Sequence, residues 1–362
     1  MSARPILIMA GGTGGHVYPA LAVADALREH AREVVWLGTR RGLEARVVPA
    51  AGIEIEWIGI SGLRGKGLAT RLLAPFRLAV ALVQSLLVMI RRRPAAVLGM
   101  GGFVSGPGGV AAWLTRRPLI IHEQNAVPGL TNRLLAGLAR VVLQAFPGSF
   151  SSRIPAQTVG NPVRRDIAAL PPPAERLRGR AGPLRLLVLG GSQGALALNR
   201  LLPFAVAALP SDIRPEVRHQ AGERTLEAAR EAYRVAGVEA EIAPFIEDMA
   251  AAYAWADLVV CRAGALTVSE VAMAGLPAVF IPFPAAVDDH QTANAAVLAE
   301  AGAALIVQER ELTPERLATA IEQLGGDREA LLVRAERARA TAAPRALATI
   351  TGLCLAAAGG AG

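Results

Sequence analysis

Short apolar runs, each closed by a glycine or polar turn and followed by a helical repeat, recur along the whole chain. The runs are apolar at successive positions, not alternating, which predicts strands buried on both faces in parallel sheets covered by helices. In the first half the pattern predicts strands at 5–10, 33–38, 54–58, 96–99, 118–121, 141–143 and 157–159. In the second half it predicts strands at 185–190, 215–219, 239–243, 257–260, 278–281 and 304–306, with helices between them. The halves share a grammar. Ile6 to Met9 run into Gly11 to Gly15 and a helical pattern, and Leu186 to Ala195 repeats strand, glycine turn and helix. Between them Asp166 to Gly182, with Pro171, Pro172 and Pro173 and several arginines, has the composition of a linker. These features predict two doubly wound α/β domains joined near Asn161 to Arg165.

Composition narrows the class. The 362 residues are long for one core and suit two domains, and 52% hydrophobic content excludes disorder. Cys261 and Cys354 are too few and too far apart for a disulfide framework, which points to a reducing, cytosolic compartment. Ser2 to Pro5 lead straight into a strand with no signal-peptide pattern. A net charge of +8 asks for an anionic partner. Lysine and stacking aromatics are scarce, which argues against nucleic acid and leaves an anionic membrane surface.

The stretch Leu72 to Ile90 bears on that choice. It is flanked by Arg64, Lys66 and Arg71 on one side and Arg91, Arg92 and Arg93 on the other. Pro75, Arg77 and Gln84 make it a poor spanning helix. Leu72, Phe76, Val80, Val83, Leu87 and Ile90 form one helical stripe, widened by Leu82, Leu86 and Met89. The second half of this helix is expected to be an ordinary core helix. Its N-terminal part and the basic loop before it are expected to sit on anionic headgroups.

Candidate chemistry collects at the carboxyl ends of the predicted strands, where ligands of such sheets bind. Gly11 to Gly15 would present backbone amides and a helix N-terminus to a phosphate, with His16 at the lip. The turn lacks the Lys-Ser/Thr pair of a P-loop and the G-x-G-x-x-G of a dinucleotide site; by itself it is equally compatible with a packing turn. Gly99 to Pro107 is a second glycine-rich turn, and His122 to Asn125 end another strand. Arg262 to Glu270 follow the strand ending at Cys261, with a further helix N-terminus at Gly264 and a carboxylate at Glu270 placed to accept from a ribose diol. Asp288, Asp289, His290, Gln291 and Asn294 crowd after Pro282.

Taken in order, GGTGGHVYPALA, GTRRGLE (38–44), GMGGFVSGP, HEQNAVPGLTN, GNPVR (160–164), GGSQGA, RAGALTVSE and DDHQTANA resemble the MurG family of bacterial peptidoglycan synthesis, from residue 11 to 295. The resemblance implies a GT-B fold, with two Rossmann-like domains facing across a cleft. It implies an acceptor and membrane-facing domain at 1–163, completed by a C-terminal helix at 343–357, and a UDP-sugar donor domain at 164–342. The implied reaction moves N-acetylglucosamine from UDP-GlcNAc to the muramoyl 4-hydroxyl of undecaprenyl-pyrophosphoryl-MurNAc-pentapeptide (lipid I), giving lipid II with inversion. Roles in cell shape and division, a peripheral location on the cytoplasmic face of the inner membrane, and anionic lipids and other cell-wall synthesis proteins as partners are implied with it.

By the same resemblance, Ser192 and the helix start Ala265, Leu266, Thr267, Val268 and Ser269 would bind the donor diphosphate, and Glu270 the ribose hydroxyls. Ile246 would meet uracil through its backbone, and Gln291, with His290, would hold sugar hydroxyls. Thr13, Gly14, Gly15, Asn125 and Arg164 would complete the donor site. Gly14, Gly15, His16, Gly101, Gly102 and Asn125 would hold the acceptor, with His16 as catalytic base. The stretch Phe283 to Asp288 varies from the family pattern. No D-x-D pair is placed to bridge a diphosphate through Mg²⁺, so no cofactor and no obligatory catalytic metal are expected. An NADP-dependent oxidoreductase, with Thr39, Arg40 and Arg41 on a 2′-phosphate, and a basic, non-catalytic membrane adaptor stand as alternatives.

Overall fold

The computed structural model describes residues 4–60, 73–191, 194–285 and 289–359. The chain divides into two compact units, residues 1–163 with 344–362, and residues 164–343.

The first unit is built on a seven-stranded sheet in the order β3-β2-β1-β4-β5-β6-β7. Its strands are β1 (Ile6–Met9), β2 (Val34–Gly38), β3 (Glu54–Trp57), β4 (Ala96–Gly99), β5 (Leu119–Glu123), β6 (Val141–Gln144) and β7 (Ala156–Thr158). Every pairing is parallel. The central strands are buried on both faces, as their unbroken apolar runs require: Ile6, Leu7, Ile8 and Met9 are all inaccessible. Strand order reverses at β1, which pairs with β2 on one side and β4 on the other. The turns after β1 and β4 therefore flank the switch point, and they are the two glycine-rich stretches Gly11 to Gly15 and Gly99 to Pro107.

Helices cover both faces. On one face, Gly14–Glu29 packs beside the C-terminal helix Ala346–Gly359, and Ile350 and Cys354 join the core of Ile6, Val17 and Leu27. The C-terminal helix starts two residues after Pro344, which cannot continue a helix N-terminal to it. On the other face lie Ala74–Arg92, Ser105–Leu114 and Leu130–Leu135, side by side. Ala74–Arg92 opens with Pro75 in its first turn and stops at Arg93, whose φ of 47° is left-handed, ahead of Pro94.

Which side of this helix meets the core corrects the reading of its second half. Ala81, Ser85, Val88 and Met89 are buried, whereas Val83, Leu87 and Ile90 of the expected core stripe are more than half exposed. Residues 75–80 are exposed all round, so the first two turns stand clear of the unit. Small residues let the helix approach closely along the Ala81 and Ser85 line, and the larger aliphatic stripe is left outside. Leu72 and the basic residues Arg64, Lys66 and Arg71 lie outside the described residues.

The second unit has a six-stranded parallel sheet in the order β10-β9-β8-β11-β12-β13. The strands are β8 (Arg185–Leu189), β9 (Glu216–Gln220), β10 (Glu241–Ala243), β11 (Leu258–Cys261), β12 (Ala278–Phe280) and β13 (Ala304–Ile306). Its order reverses at β8, between β9 and β11. Gly190 and Gly191 follow β8 at the switch, and Arg262 to Gly264 follow β11.

The segment with linker composition is part of this unit. Arg165–Ala168 and Pro173–Arg176 are short helices. Arg176 is clamped by the carbonyls of Ala256, Ala274 and Gly275 at 2.9–3.0 Å, at the C-terminal ends of two helices where cations are favoured. Arg180 and Arg328 both pair with the buried Asp257 at 2.6 Å. The composition is that of a linker; the arginines anchor the segment to this unit.

Candidate active site

In the first unit the two glycine turns interlock. Gly102 has φ +82°, and a Cβ there would collide with the carbonyl of Gly11. Gly101 has φ +91°, and a Cβ there would stand 2.6 Å from Cδ2 and 2.9 Å from Nε2 of His16. The imidazole of His16 thus lies against a bare backbone, in the third position of its helix, with Nδ1 3.4 Å from the Thr13 hydroxyl at the N-cap. Ser105 ties the second turn down, donating to Gly101 O at 2.8 Å and Met9 O at 3.1 Å.

One donor of the first turn is already taken. Glu44, fully buried, accepts from Gly12 N–H at 3.0 Å and from the Thr39 N–H and hydroxyl at 3.1 and 2.7 Å. The anion cradle is therefore narrower than the glycine run suggested and begins at the first turn of the helix, Gly14 and Gly15, which carries no acidic side chain. The same bonds occupy the Thr39 groups that a 2′-phosphate would need.

Asn125 is set by the buried Glu123. Its N–H and Nδ2 donate to Oε1 at 3.0 and 3.2 Å, while Gly129 N–H and Asn132 Nδ2 take Oε2 at 3.1 and 2.9 Å. Ser149 donates to Asn125 O at 3.0 Å. Beneath, His122 is inaccessible. Its Nε2 donates to Gly160 O at 2.9 Å, and Nδ1 accepts from Gln124 Nε2 at 3.0 Å, which selects the neutral tautomer. Burial holds its pKa below the usual histidine value.

In the second unit, Glu270 is buried in the helix Ala265–Ala274. Its Oε2 accepts from the Tyr253 hydroxyl at 3.1 Å, and Arg164 Nε stands 3.8 Å from Oε1. Burial pushes its carboxyl up to about 7, opposed by Arg164 and the Tyr253 hydroxyl. The helix begins at Gly264 with no acidic residue in its first turn, which suits an anion at Ala265 to Thr267. Gln291 Oε1 accepts from Ala263 N–H at 3.2 Å and Phe283 N–H at 2.9 Å, and Asn294 Nδ2 donates to Ala263 O at 3.2 Å. The turn before the helix is thereby pinned, and Gln291 is left with its amide nitrogen for a ligand. Arg262 pairs with Glu309, donates to Ile281 O at 3.1 Å and lies over the Phe283 ring.

Ile246 needs qualification. Its N–H already donates to Gln220 Oε1 at 3.0 Å, so the carbonyl is the backbone group it offers a base. Ser192 and Asp288 lie outside the described residues. His219 and Asn199 support the backbone beside Gly194. Asn199 Nδ2 holds Ala221 O at 2.9 Å, and a Cβ on Gly194 would collide with that carbonyl and with Thr225. His219 Nε2 donates to Asn199 Oδ1 at 3.1 Å, Nδ1 accepts from Tyr233 at 3.0 Å, and burial lowers its pKa to about 3.

Sequence reading found the residues at strand ends and missed their supports: Glu44, Glu123, Gln220 and Tyr253. Glu44 and Glu123 sit inside quoted motifs. The signal in each was a carboxylate close after a run of strand residues, where burial requires several donors.

Two units of parallel doubly wound sheet, each with glycines after the strands at its switch point, are the architecture of the GT-B class of glycosyltransferases. The chain matches the glycosyltransferase family 28 N-terminal domain over residues 6–144 and the family 28 C-terminal domain over residues 185–350. Curated relatives named UDP-N-acetylglucosamine–N-acetylmuramyl-(pentapeptide) pyrophosphoryl-undecaprenol N-acetylglucosamine transferase are closely similar. The one from Nitrosococcus oceani is 61% identical over 334 residues, 92% of this chain and 93% of its own length. The one from Alkalilimnicola ehrlichii is 60% identical over 351 residues, 97% and 98% of the two chains. The crystal structure of Acinetobacter baumannii MurG matches with a TM-score of 0.86 at 43% identity, over 98% of this chain and 99% of that one. The chain belongs to glycosyltransferase family 28 and, within it, to the MurG family.

Proposed function

We propose that this chain is an inverting hexosyltransferase that moves N-acetylglucosamine from UDP-GlcNAc to lipid I, forming lipid II for peptidoglycan. The observation that carries the reading is 60–61% identity to transferases of that name over 92% or more of the chain.

The residues can be given parts in this reaction. The muramoyl 4-hydroxyl attacks the anomeric carbon, its proton passes to the imidazole of His16, and the C1–O bond to the diphosphate breaks with its electron pair leaving on UDP. Gly14 and Gly15, with Gly101, Gly102 and Asn125, hold the acceptor, and Thr13, Gly14, Gly15 and Asn125 also meet the donor. The first-turn amides of Ala265 to Thr267, with Arg164 and Ser192, take the charge that develops on UDP, without a metal ion. Glu270 accepts from the ribose hydroxyls, Ile246 O from uracil N3–H, and Gln291 donates to the transferred sugar. What supports these parts is placement: Thr13 to Gly15, Gly101, Gly102 and Asn125 follow strands of the first unit, and Ala265 to Thr267 and Gln291 open helices that follow strands of the second.

The exposed aliphatic face of Ala74–Arg92, continued by Trp113, Leu114, Leu130 and Leu134 on the two neighbouring helices, is the surface we assign to the membrane that carries lipid I. The enzyme then works as a peripheral protein on the cytoplasmic face. Phe76 at 70% exposed and Leu134 at 68% are the most solvent-facing of these side chains.

The test is transfer of radiolabel from UDP-GlcNAc to a lipid I analogue. Labelled lipid II is the expected product, and its absence with intact acceptor and active control enzyme overturns the proposal. The oxidoreductase alternative makes a separate statement: NADP, not UDP, would raise the melting temperature.

A further inference from the structure

The phenol of Tyr253 has no part in the scheme above, yet it is inaccessible and touches a residue that does. Tyr253 lies on the helix Met249–Trp255, whose N-cap Asp248 accepts from Ala251 N–H at 2.8 Å. A phenylalanine would fill such a core at no polar cost, whereas a buried hydroxyl requires a partner. Its partner is Glu270 Oε2 at 3.1 Å. We propose that Tyr253 is a positioning residue for nucleoside recognition: its hydroxyl holds one oxygen of Glu270 and thereby orients the carboxylate to accept a vicinal diol. The proposal rests on the assignment of Glu270 to the ribose.

The groups around Glu270 explain why a fixed donor is needed there. Burial disfavours its charge, and Asp166 on the preceding short helix adds to that. Arg164, a cation acting on Glu270, is 3.8 Å away and 45% exposed. The Cys261 thiol at the end of β11 is buried and stays protonated. Tyr253 cannot ionise in this setting, since burial and Glu270 both raise its pKa far above the usual tyrosine value. It is thus always a donor. A diol offers two O–H groups, and an ionised carboxylate offers lone pairs for both, while a protonated carboxyl offers fewer and adds a competing donor. Holding Glu270 oriented and ionised is one act. The hydroxyl that fixes its rotamer also lowers the free energy of its charged form.

The experiment compares binding of UDP and 2′,3′-dideoxy-UDP by calorimetry between pH 6 and 8.5. The proteins are the full-length chain, Tyr253→Phe, Glu270→Gln and the double variant. Both nucleotides carry the same diphosphate, so its titration cancels in the ratio of affinities. The wild-type chain is expected to prefer UDP, and to lose that preference as pH falls through the Glu270 pKa. Tyr253→Phe should cut the preference about tenfold, the worth of one hydrogen bond to a charged group, and move its midpoint to higher pH. Affinity for the dideoxy nucleotide should stay within about twofold, since nothing else at the site changes. In the Glu270→Gln background, Tyr253→Phe should add nothing. A Tyr253→Phe chain with wild-type preference and midpoint overturns the proposal, as do additive effects in the double variant or equal loss of both nucleotides. If the wild-type chain itself binds the two nucleotides equally, the ribose assignment of Glu270 is the part that fails.

Discussion

His16 owes its place to a side chain that is missing. Gly101 combines a left-handed φ with a contact to the imidazole closer than any Cβ tolerates, so an alanine there is strained twice. Gly12 separates the two effects: its φ is +94°, but a Cβ there meets nothing within 4 Å. Gly12→Ala is therefore expected to lower stability by ~1–2 kcal/mol, and Gly101→Ala by at least as much. Only Gly101→Ala should also displace the imidazole and lower turnover by more than tenfold. Equal turnover in the two variants would show that the His16 contact has no catalytic consequence. His16→Ala is expected to lose about 10²- to 10⁴-fold in kcat, the range for a general base, with UDP affinity unchanged. A weakened UDP affinity with normal kcat would move His16 from the acceptor to the donor. The glycines and the histidine were legible because they share one short stretch. Glu44 was not legible as the acceptor for Gly12, because its partner lies 32 residues away and only the fold brings them together.

Among the elements, Ala74–Arg92 shows what periodicity can and cannot decide. The stripe through Phe76, Val83, Leu87 and Ile90 is real, but it is exposed, and the core takes the line of Ala81, Ser85, Val88 and Met89. Both faces of the helix are apolar, so the pattern fixed the helix and left its rotation open; packing against Ser105–Leu114 settled it. A long aliphatic face left in water is costly unless something covers it, and a lipid surface is the cover proposed here. Phe76→Ser with Leu87→Ser should lower partition onto vesicles of phosphatidylglycerol and cardiolipin by roughly a hundredfold or more, at ~1.5–3 kcal/mol for each large side chain. UDP affinity should be unchanged, since neither residue is among those assigned to the nucleotide. Unaltered partition measured by vesicle sedimentation would return this face to the list of unexplained surfaces.

For the whole molecule, the order of strands, turns and helices was readable because each half repeats one grammar, and an unbroken apolar run has few places to go but the middle of a parallel sheet. What could not be read was the cost of burying titratable groups, and this differs between the units. In the first unit, burial keeps His122 neutral with a lowered pKa. The unfolded chain takes up protons below about 6.5 and the folded unit does not, so stability is present above that pH and lost as pH falls. The second unit holds two opposed groups. His219, lowered to about 3, behaves as His122 does. Glu270, raised to about 7, does the reverse: its folded form binds a proton that the unfolded chain has released, so its contribution is full below the unfolded value near 4.5 and lost as pH rises through 7. Between pH 7 and 5, His219 removes about 2 kcal/mol and Glu270 returns a similar amount, so the second unit should melt at nearly constant temperature over that range. Glu270→Gln takes away the compensation. The variant should be the more stable protein at pH 8, by up to ~3 kcal/mol, and lose that advantage steadily toward pH 5 as His219 acts alone. Calorimetric melting, with the second unit's transition identified as the one UDP raises, reads this directly. A Glu270→Gln profile parallel to that of the wild-type chain would mean that Glu270 is ionised in the folded unit without penalty, and Tyr253 would then have no buried charge to support.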